Sequence, residues 1–361
     1  MSTLTSNYLA PTGREEAWRF TPLARTGGLL DSAVALESVN SIELRTSLAG
    51  VNLSVKAVSD LPAISISEDS ATIRARDFIS EVTHIEIAKD ANLSEPIILE
   101  RRGLNGKPQA SRTLITLGVN SHATLILVNT GNAILADEIE FDLASGSNLT
   151  FVSLQEWDSK AIHLGRQHAV VGKDATFNSI VVTVGGSLVR LLPTVDYSGP
   201  GSSADLQGLY FATDGQHLEH RLFVNHNVPN AKSRVNYKGA LAGDKAHTVW
   251  IGDVYIRANA EGTDTYELNR NLLLSDGARA DSVPNLEIET GEIVGAGHAS
   301  TTGRFDDEQL FYLSSRGIPA ELARRLVIRG FFAEIIGKIK SEEIENRLMD
   351  RIDSELAKVG A

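Results

Sequence analysis

From about residue 83 to residue 300 the chain repeats one texture: short apolar runs rich in Val, Ile, Leu and Thr, each set off by small or turn-forming residues. "IEIAKDANL", "SHATLILVNTG", "SNLTFVSLQEW", "DATFNSIVVTVGG" and "SADLQGLYFATDG" are successive examples. Runs of this length and composition predict β-strands. Aligning Thr124, Thr150 and Thr176 gives two consecutive spacings of 26 residues, and Gly146, Gly172 and Gly199 recur at 26 and 27. No 3.6-residue apolar pattern separates the runs, so crossover helices are not expected between them. A period in the twenties without helices predicts stacked coils of strand, a β-solenoid. Each coil buries its inward side chains against the next, so no coil is stable alone, and both ends expose strand edges that something must cover.

The flanks have a different pattern. Residues 1–80 mix helical and short extended signals; "GREEAWRFTPL" carries charge and aromatics, and Pro22 ends a helix or turn there. The last stretch reads as helical. In "FDDEQLFYLSSRG", Asp306 stands three residues before Gln309, as in a capping box, and Gly317 is placed to end the helix. Pro319 suits the first turn of a second helix. Ile344, Leu348, Ile352 and Leu356 recur every fourth residue, an apolar stripe along a third helix. That stripe packs within this chain or serves as a docking face for another subunit. The predicted organisation is mainly β: a helical or mixed region over 1–80, the coiled core over 81–303, and a helical region over 304–361.

Charge and composition narrow the function. The chain of 361 residues has a formal net charge of -12, which repels a phosphate backbone and argues against nucleic acid as a partner. The start "MSTLTSNYLAP" lacks the basic region and apolar core of a secretory signal, and the longest apolar stretches, such as "LVIRGFFAEIIGKI", are broken by charge too early to span a membrane. A soluble, cytoplasmic protein is expected. The chain has no cysteine, so disulfides, thiolate nucleophiles and sulfur-ligated metal sites of its own are excluded. Any soft-metal chemistry must borrow thiolates from a partner. "GALAGDK" has the wrong spacing for a phosphate loop, and H-E-x-x-H, G-x-S-x-G and a complete G-x-G-x-x-G do not occur. ATP hydrolysis by this chain is not expected, nor is any enzymatic activity.

Two sets of chemically suggestive residues have structural explanations. In "HLEHRLFVNH", His217 and His220 face opposite sides of a strand, and His220 and His226 share a face roughly 20 Å apart at 3.3 Å per residue. His163 and His168 also point to opposite faces. None of these pairs can chelate one ion. Asp264, Glu267, Arg270, Asp276, Arg279 and Asp281 form a set that either supplies catalytic carboxylates or, as expected here, consists of turn residues and ion pairs around "NLLL", with Gly277 in a turn. The histidine of "GAGHAS", His298, is different. Its neighbours have almost no side chain, so the imidazole is easy to approach.

These residues carry a resemblance. "YELNRNLLLSDGARADSVPNLEIETGEIVGAGHASTTGRFDDEQLFYLSSRGIPAELARRLVIRGF", residues 266–331, resembles the C-terminal signature of the SufB/SufD family, the paired scaffolds of the Suf iron-sulfur cluster assembly system. "EEAWRFTPL" at 15–23 is similar to the family's N-terminal motif, and "NHNVPNAKSRVNYKGALAGDKAHTVWIGDVYI" at 225–256 to its central one. The chain is more similar to the SufD branch, because it is short, has the early tryptophan motif and lacks the cysteine on which SufB-type scaffolds build clusters. In "AGHAST", Ala296 stands in the place of that cysteine and His298 is retained.

The resemblance implies a right-handed parallel β-helix between helical terminal regions. It implies pairing with a SufB homologue through the β-helices, binding of a SufC ATPase through the C-terminal helices, and a homodimer as a further possibility for the isolated chain. Within that frame His298 is expected to ligate a transient iron-sulfur cluster at the SufB interface, since imidazole replaces thiolate at iron in Rieske centres. Phe311, Tyr312, Leu322, Leu326 and Phe331 are expected to contact SufC. Two other readings remain: a purely structural partner of SufB and SufC, and a polysaccharide-active β-helix enzyme, which the absent signal and acidic charge oppose.

Overall fold

A computed structural model describes residues 8–45, 48–61, 64–103, 106–305 and 307–358. The repeated runs fold into two parallel sheets that wind around a common interior. One sheet contains β4 (Glu81–Ile87), β6 (Pro108–Leu117), β8 (Ile134–Leu143), β10 (Ile162–Val171), β12 (Leu188–Tyr197), β14 (His217–His226), β16 (His247–Ile256) and β18 (Arg279–Ile288). The other contains β5 (Ile97–Arg102), β7 (His122–Gly131), β9 (Asn148–Trp157), β11 (Thr176–Thr183), β13 (Ser203–Ala212), β15 (Lys232–Leu241), β17 (Asp264–Leu273) and β19 (Gly295–Arg304). The chain alternates between sheets, so each coil is one strand of each, and the whole is the β-solenoid that the pattern predicts.

The period is not constant. Pro108 stacks on Ile134 after 26 residues, but His247 stacks on Arg279 after 32. The fixed 26-residue alignment therefore slips: Thr124 pairs with Thr150, but Thr150 pairs with Asn178, and Thr176 lies beside Asn148 and Ser203. The corner that repeats is occupied by Asp90, Asn120, Gly146, Asp174, Gly201, Asn230 and Gly262, all at positive φ. Gly, Asn and Asp are the residues that tolerate this conformation. Amides in this corner reach a carbonyl one coil onward, as from Asn120 to Ser145, Gly146 to Lys173 and Gly262 to Glu292. The predicted repeat of Gly146, Gly172 and Gly199 thus mixes different corner positions. Turn chemistry, not glycine alone, is what recurs.

The two ends of the stack differ. At one end β3 (Val51–Ala57) adds antiparallel to β4 and β2 (Ile42–Leu44) adds antiparallel to β5, while β1 (Glu37–Ser38) pairs beside β6. At the other end β18 and β19 each have a single hydrogen-bonded neighbour.

The N-terminal segment is clamped to the outer face of the first sheet. Trp18, Leu29, Leu30, Ala71 and Ala75 bury against Ala110, Ala136, Leu164 and Leu188. The buried Arg190 guanidinium lies 3.8 Å from the Trp18 ring centroid and donates to Asp69, 2.7 Å away. Thr21 donates to Glu219 over 2.7 Å. Asp69 also caps α1 (Ser70–Phe78) by accepting from the Thr72 amide. Charge inside this contact is compensated: Glu138 meets Arg76 and Arg166, and Glu140 meets Arg112. The early tryptophan motif is therefore a structural latch.

Three helices follow β19: α2 (Asp307–Ser315), α3 (Ala320–Ile336) and α4 (Glu342–Lys358). Gly317, at φ +83°, closes α2 with its amide on Ser314 and that of Ile318 on Leu313, the paired bonds of a Schellman motif. Asp306 lies outside the described residues. Pro319 takes the N-cap of α3, one residue ahead of the predicted first turn. Ile328, Phe332, Ile335 and Ile336, with Ile344, Leu348, Ile352 and Leu356, pack on Val128, Val152, Leu154, Val182 and Phe211 of the second sheet. The apolar stripe of α4 is thus satisfied inside the chain and is not a docking face. No helix among the described residues is long and apolar enough to cross a membrane.

In the interior, large side chains fit against glycines on the neighbouring coil. Gly208 lies beside Tyr237 and Gly239 beside Tyr210, and a Cβ on either glycine would strike the opposing ring. We expect Gly208→Ala to cost about 1–3 kcal/mol through overpacking. Gly291→Ala, where a Cβ meets nothing within 4 Å, should stay within about 0.5 kcal/mol. Chemical denaturation of both variants checks the pair.

Candidate functional site

His298 sits on β19, opposite Glu267 of β17 in register. Along β17, Thr265, Glu267, Asn269 and Asn271 are buried while Tyr266 and Arg270 are exposed. Period-two alternation therefore puts Ala296, His298, Ser300 and Thr302 on the same, inward row of the last coil. Because β19 has no further neighbour among the described residues, this inward row forms the mouth of the solenoid. Ala296 still packs against the core, whereas the His298 side chain is 42% exposed. The imidazole faces the open end and is not enclosed within the coil.

The mouth is continuous with a polar column below it. Ser300 donates to Ser282 over 2.7 Å, Ser282 to Asn269 over 2.8 Å, Asn269 to the Tyr210 hydroxyl over 2.9 Å, and that hydroxyl to Asn271 over 2.8 Å. His220 stacks on Tyr210 with ring centroids 5.0 Å apart. Paired polar groups of this kind fix the side-chain arrangement behind the mouth.

Pairing is incomplete at His220, whose Nδ1 has no partner among the described residues, and more so at Glu267. Its side chain is 2% exposed, and neither carboxylate oxygen has a hydrogen-bond partner among the described residues. The group facing it is His298, with Nδ1 at 3.8 Å from Oε1. Burial, with the nearby charge of Asp253 adding to it, pushes the carboxyl up to about 9. The sequence assigns Glu267 to turn residues and ion pairs; the residue lies within a strand, and the ion-pair part of that assignment rests on His298 at 3.8 Å. It holds for others: Asp264 pairs with Arg234, Asp276 with Arg304, and Asp281 with Arg279 and His247. Counting alternate positions from Thr265 would have placed Glu267 on the inward row. Recognising it as unpaired needed the neighbouring coils.

The other histidines are structural, as expected. His163, His168, His217, His220 and His226 are buried. Burial pushes His168 and His220 down to about 3 and His226 to about 4, leaving all three neutral at pH 7. His217 also meets His247 of the next coil, Nδ1 to Nδ1 at 3.1 Å, a juxtaposition invisible when one strand is read alone. Among the described residues no group of three or more His, Asp or Glu side chains is arranged to hold a metal ion. A cluster at His298 would need further ligands from outside this chain or from the cargo itself.

The residues expected to contact an ATPase divide. Phe311 is 75% exposed, and Tyr312, Leu322 and Leu326 are also exposed, on α2 and α3. Phe331 is turned partly inward against the sheet-helix core. Lys238 lies 5.3 Å from its ring centroid and donates to its carbonyl over 2.9 Å. Phe331 therefore packs within the chain while remaining partly exposed.

The electrostatics of Glu267 give a test. An unfolded carboxyl ionises near 4.5, but the folded one keeps its proton up to about 9. Raising the pH between these limits therefore favours the unfolded chain. Glu267→Gln removes that penalty, so its gain in stability should be small near pH 5 and grow to about 1–3 kcal/mol by pH 8 to 9. Thermal melts across that range check it.

Comparison with known proteins identifies the family. The family model described as "SUF system FeS cluster assembly, SufBD core domain" matches residues 99–331, from within β5 to within α3. An iron-sulfur cluster assembly SufBD family protein of Mycobacterium leprae is 48% identical over 360 residues, covering 97% of this chain and 91% of the relative. One from Mycobacterium tuberculosis is 46% identical over 358 residues, covering 97% and 90%. The iron-sulfur cluster assembly protein SufD of Escherichia coli is 27% identical over 382 residues, covering 96% and 89%. The chain belongs to the SufBD family of the SUF system for iron-sulfur cluster assembly.

Proposed function

We propose that this chain is a non-catalytic scaffold of iron-sulfur cluster assembly that pairs with a SufB-type, thiol-bearing scaffold and lends it His298 as a ligand to the nascent cluster. The observation that carries this reading is the position of His298: half-exposed, at the mouth of the solenoid, on a strand with an unpaired edge. Free strand edges recruit other strands, and addition along β18 or β19 satisfies backbone groups that otherwise face water. A partner docked there meets the imidazole directly. Ala296, on the same inward row, leaves room beside the imidazole for a bulky cluster. Without that partner, the same edges are available to a second copy of this chain.

The cluster is cargo, built from iron and sulfide delivered to the seam. This chain contributes a nitrogen donor and a defined mouth, and thiolates come from the partner because none exist here. An ATPase of the SufC type docks on the exposed residues Phe311, Tyr312, Leu322 and Leu326. Because α3 is anchored through Ile328, Phe332, Ile335 and Ile336, a displacement imposed on these helices is carried into the second sheet, which ends in β19.

Two experiments test these assignments. In the co-expressed complex, His298→Ala should leave assembly intact and remove most of the bound iron and sulfide, measured by metal and sulfide analysis and visible absorbance. Unchanged loading would leave only a structural role. For the ATPase, Phe311→Asp and Leu322→Asp together should abolish co-purification of the SufC-type subunit with the fold unchanged by circular dichroism; retained co-purification overturns the docking surface. Point substitutions are preferable to truncation after Gly303, which would strip α3 and α4 from the apolar face they cover.

A further inference from the structure

Other deeply buried carboxylates of the solenoid have cationic or imidazole partners. Asp137 is met by Arg101 and His163, Glu138 by Arg76 and Arg166, and Glu219 by Arg190 and His217. Glu267 has no hydrogen bond to either oxygen. Removing a polar group from water without a compensating partner costs several kcal/mol, so a residue kept in this state calls for an occupant. Space has been left for the carboxylate: a Cβ at Gly252 would collide with Glu267 Oε2 and lie 2.5 Å from the Trp250 ring.

The separation from His298 indicates the kind of occupant. At 3.8 Å, Nδ1 and Oε1 are too far apart for a hydrogen bond. Two donors that each bind a first-row metal at about 2.1 Å span at most about 4.2 Å, so one ion fits between them. A cation there would satisfy the buried carboxylate and the imidazole together. The two donors differ in accessibility. His298 is open to solvent and Glu267 is behind it, so an ion arriving at the mouth meets the imidazole first.

We propose that Glu267 and His298 form a two-donor site for a single divalent first-row transition-metal ion, bound by this chain before any partner supplies a thiolate. The inference rests on the reading of His298 as an iron-facing residue and adds a second ligand and a prior step: ferrous ion held at the mouth as a mononuclear species. One imidazole and one carboxylate suit Fe²⁺, Co²⁺ or Zn²⁺. The remaining positions belong to water and are open to incoming sulfide or a partner's thiolate. No electron transfer is involved in loading the ion, and the proton carried by the Glu267 carboxyl is released to water as the metal takes its place.

The test uses the isolated full-length chain and Co²⁺ as probe, followed by visible absorption and calorimetry. The unsubstituted chain should bind one Co²⁺, and Glu267→Gln and His298→Ala should each weaken binding by tenfold or more. Glu267→Leu, which needs no hydrogen-bond partner and offers no donor atom, serves as a second variant. Co²⁺ affinity unchanged by loss of Glu267, or no Co²⁺ binding by the unsubstituted chain, overturns the proposal. Cluster loading of the complex separates this from the functional reading. Loss of clusters in His298→Ala with no Co²⁺ bound by the isolated chain sinks the two-donor site alone. Co²⁺ held through both residues, with clusters unaffected by His298→Ala, sinks the cluster-ligand role alone.

Discussion

The structure depends on the backbone ladder between successive coils. Each inner strand of the solenoid pairs along most of its length with the coil before and the coil after, so the stack supports itself except at its ends. One end is closed by antiparallel β2 and β3, which come from the N-terminal segment itself. The other is left at β18 and β19. An unclosed edge is a liability for a lone protein and a recruitment surface for a protein with a partner. The placement of His298 on that edge joins the structural requirement to the chemical one.

The two outer faces of the sheets are covered by different physics. The second sheet is apolar outside and takes α3 and α4 through Ile, Leu and Phe contacts. Beyond its small apolar patch, the first sheet presents buried Glu138, Glu140, Arg166, Arg190 and Glu219, and the N-terminal segment brings the complements: Arg76, Asp69, Thr21 and the ring of Trp18. Although burial opposes ionisation of Glu219, the His217 hydrogen bond and the Arg190 charge hold it at about 2. Breaking one such partnership would leave an uncompensated charge inside, which is why a short latch at residues 15–23 can be tied so firmly to a strand some 200 positions later.

Against this background the mouth stands out. Within the interior many polar side chains are matched to each other across coils, as with Asp137 and His163 or Asn269 and Tyr210, while some buried atoms, such as His220 Nδ1, Trp250 Nε1 and the Tyr237 hydroxyl, are not. At the mouth Glu267 stacks between Val235 and His298, and neither of its oxygens finds a hydrogen-bond partner among the described residues. The His298 ring beside it faces the open end of the stack. The exposed apolar residues of α2 and the start of α3 are likewise surfaces that the chain leaves without a cover of its own.

Strands, turns, flanking helices and the absence of sulfur were legible in the sequence, because alternation, turn residues and composition are local properties. The singular environment of His298 was legible too, from the small residues around it. A constant period was not, since turns lengthen from coil to coil and one added residue shifts every later pairing. His217 beside His247, the latch of Trp18 on Arg190, and the lone carboxylate of Glu267 are contacts between residues roughly 30 to 170 positions apart. The sequence by itself determined which segments would become strands and which faces they would bury. Only the tertiary structure decided which side chains meet, because in a solenoid neighbours are set by the accumulated length of every coil between them.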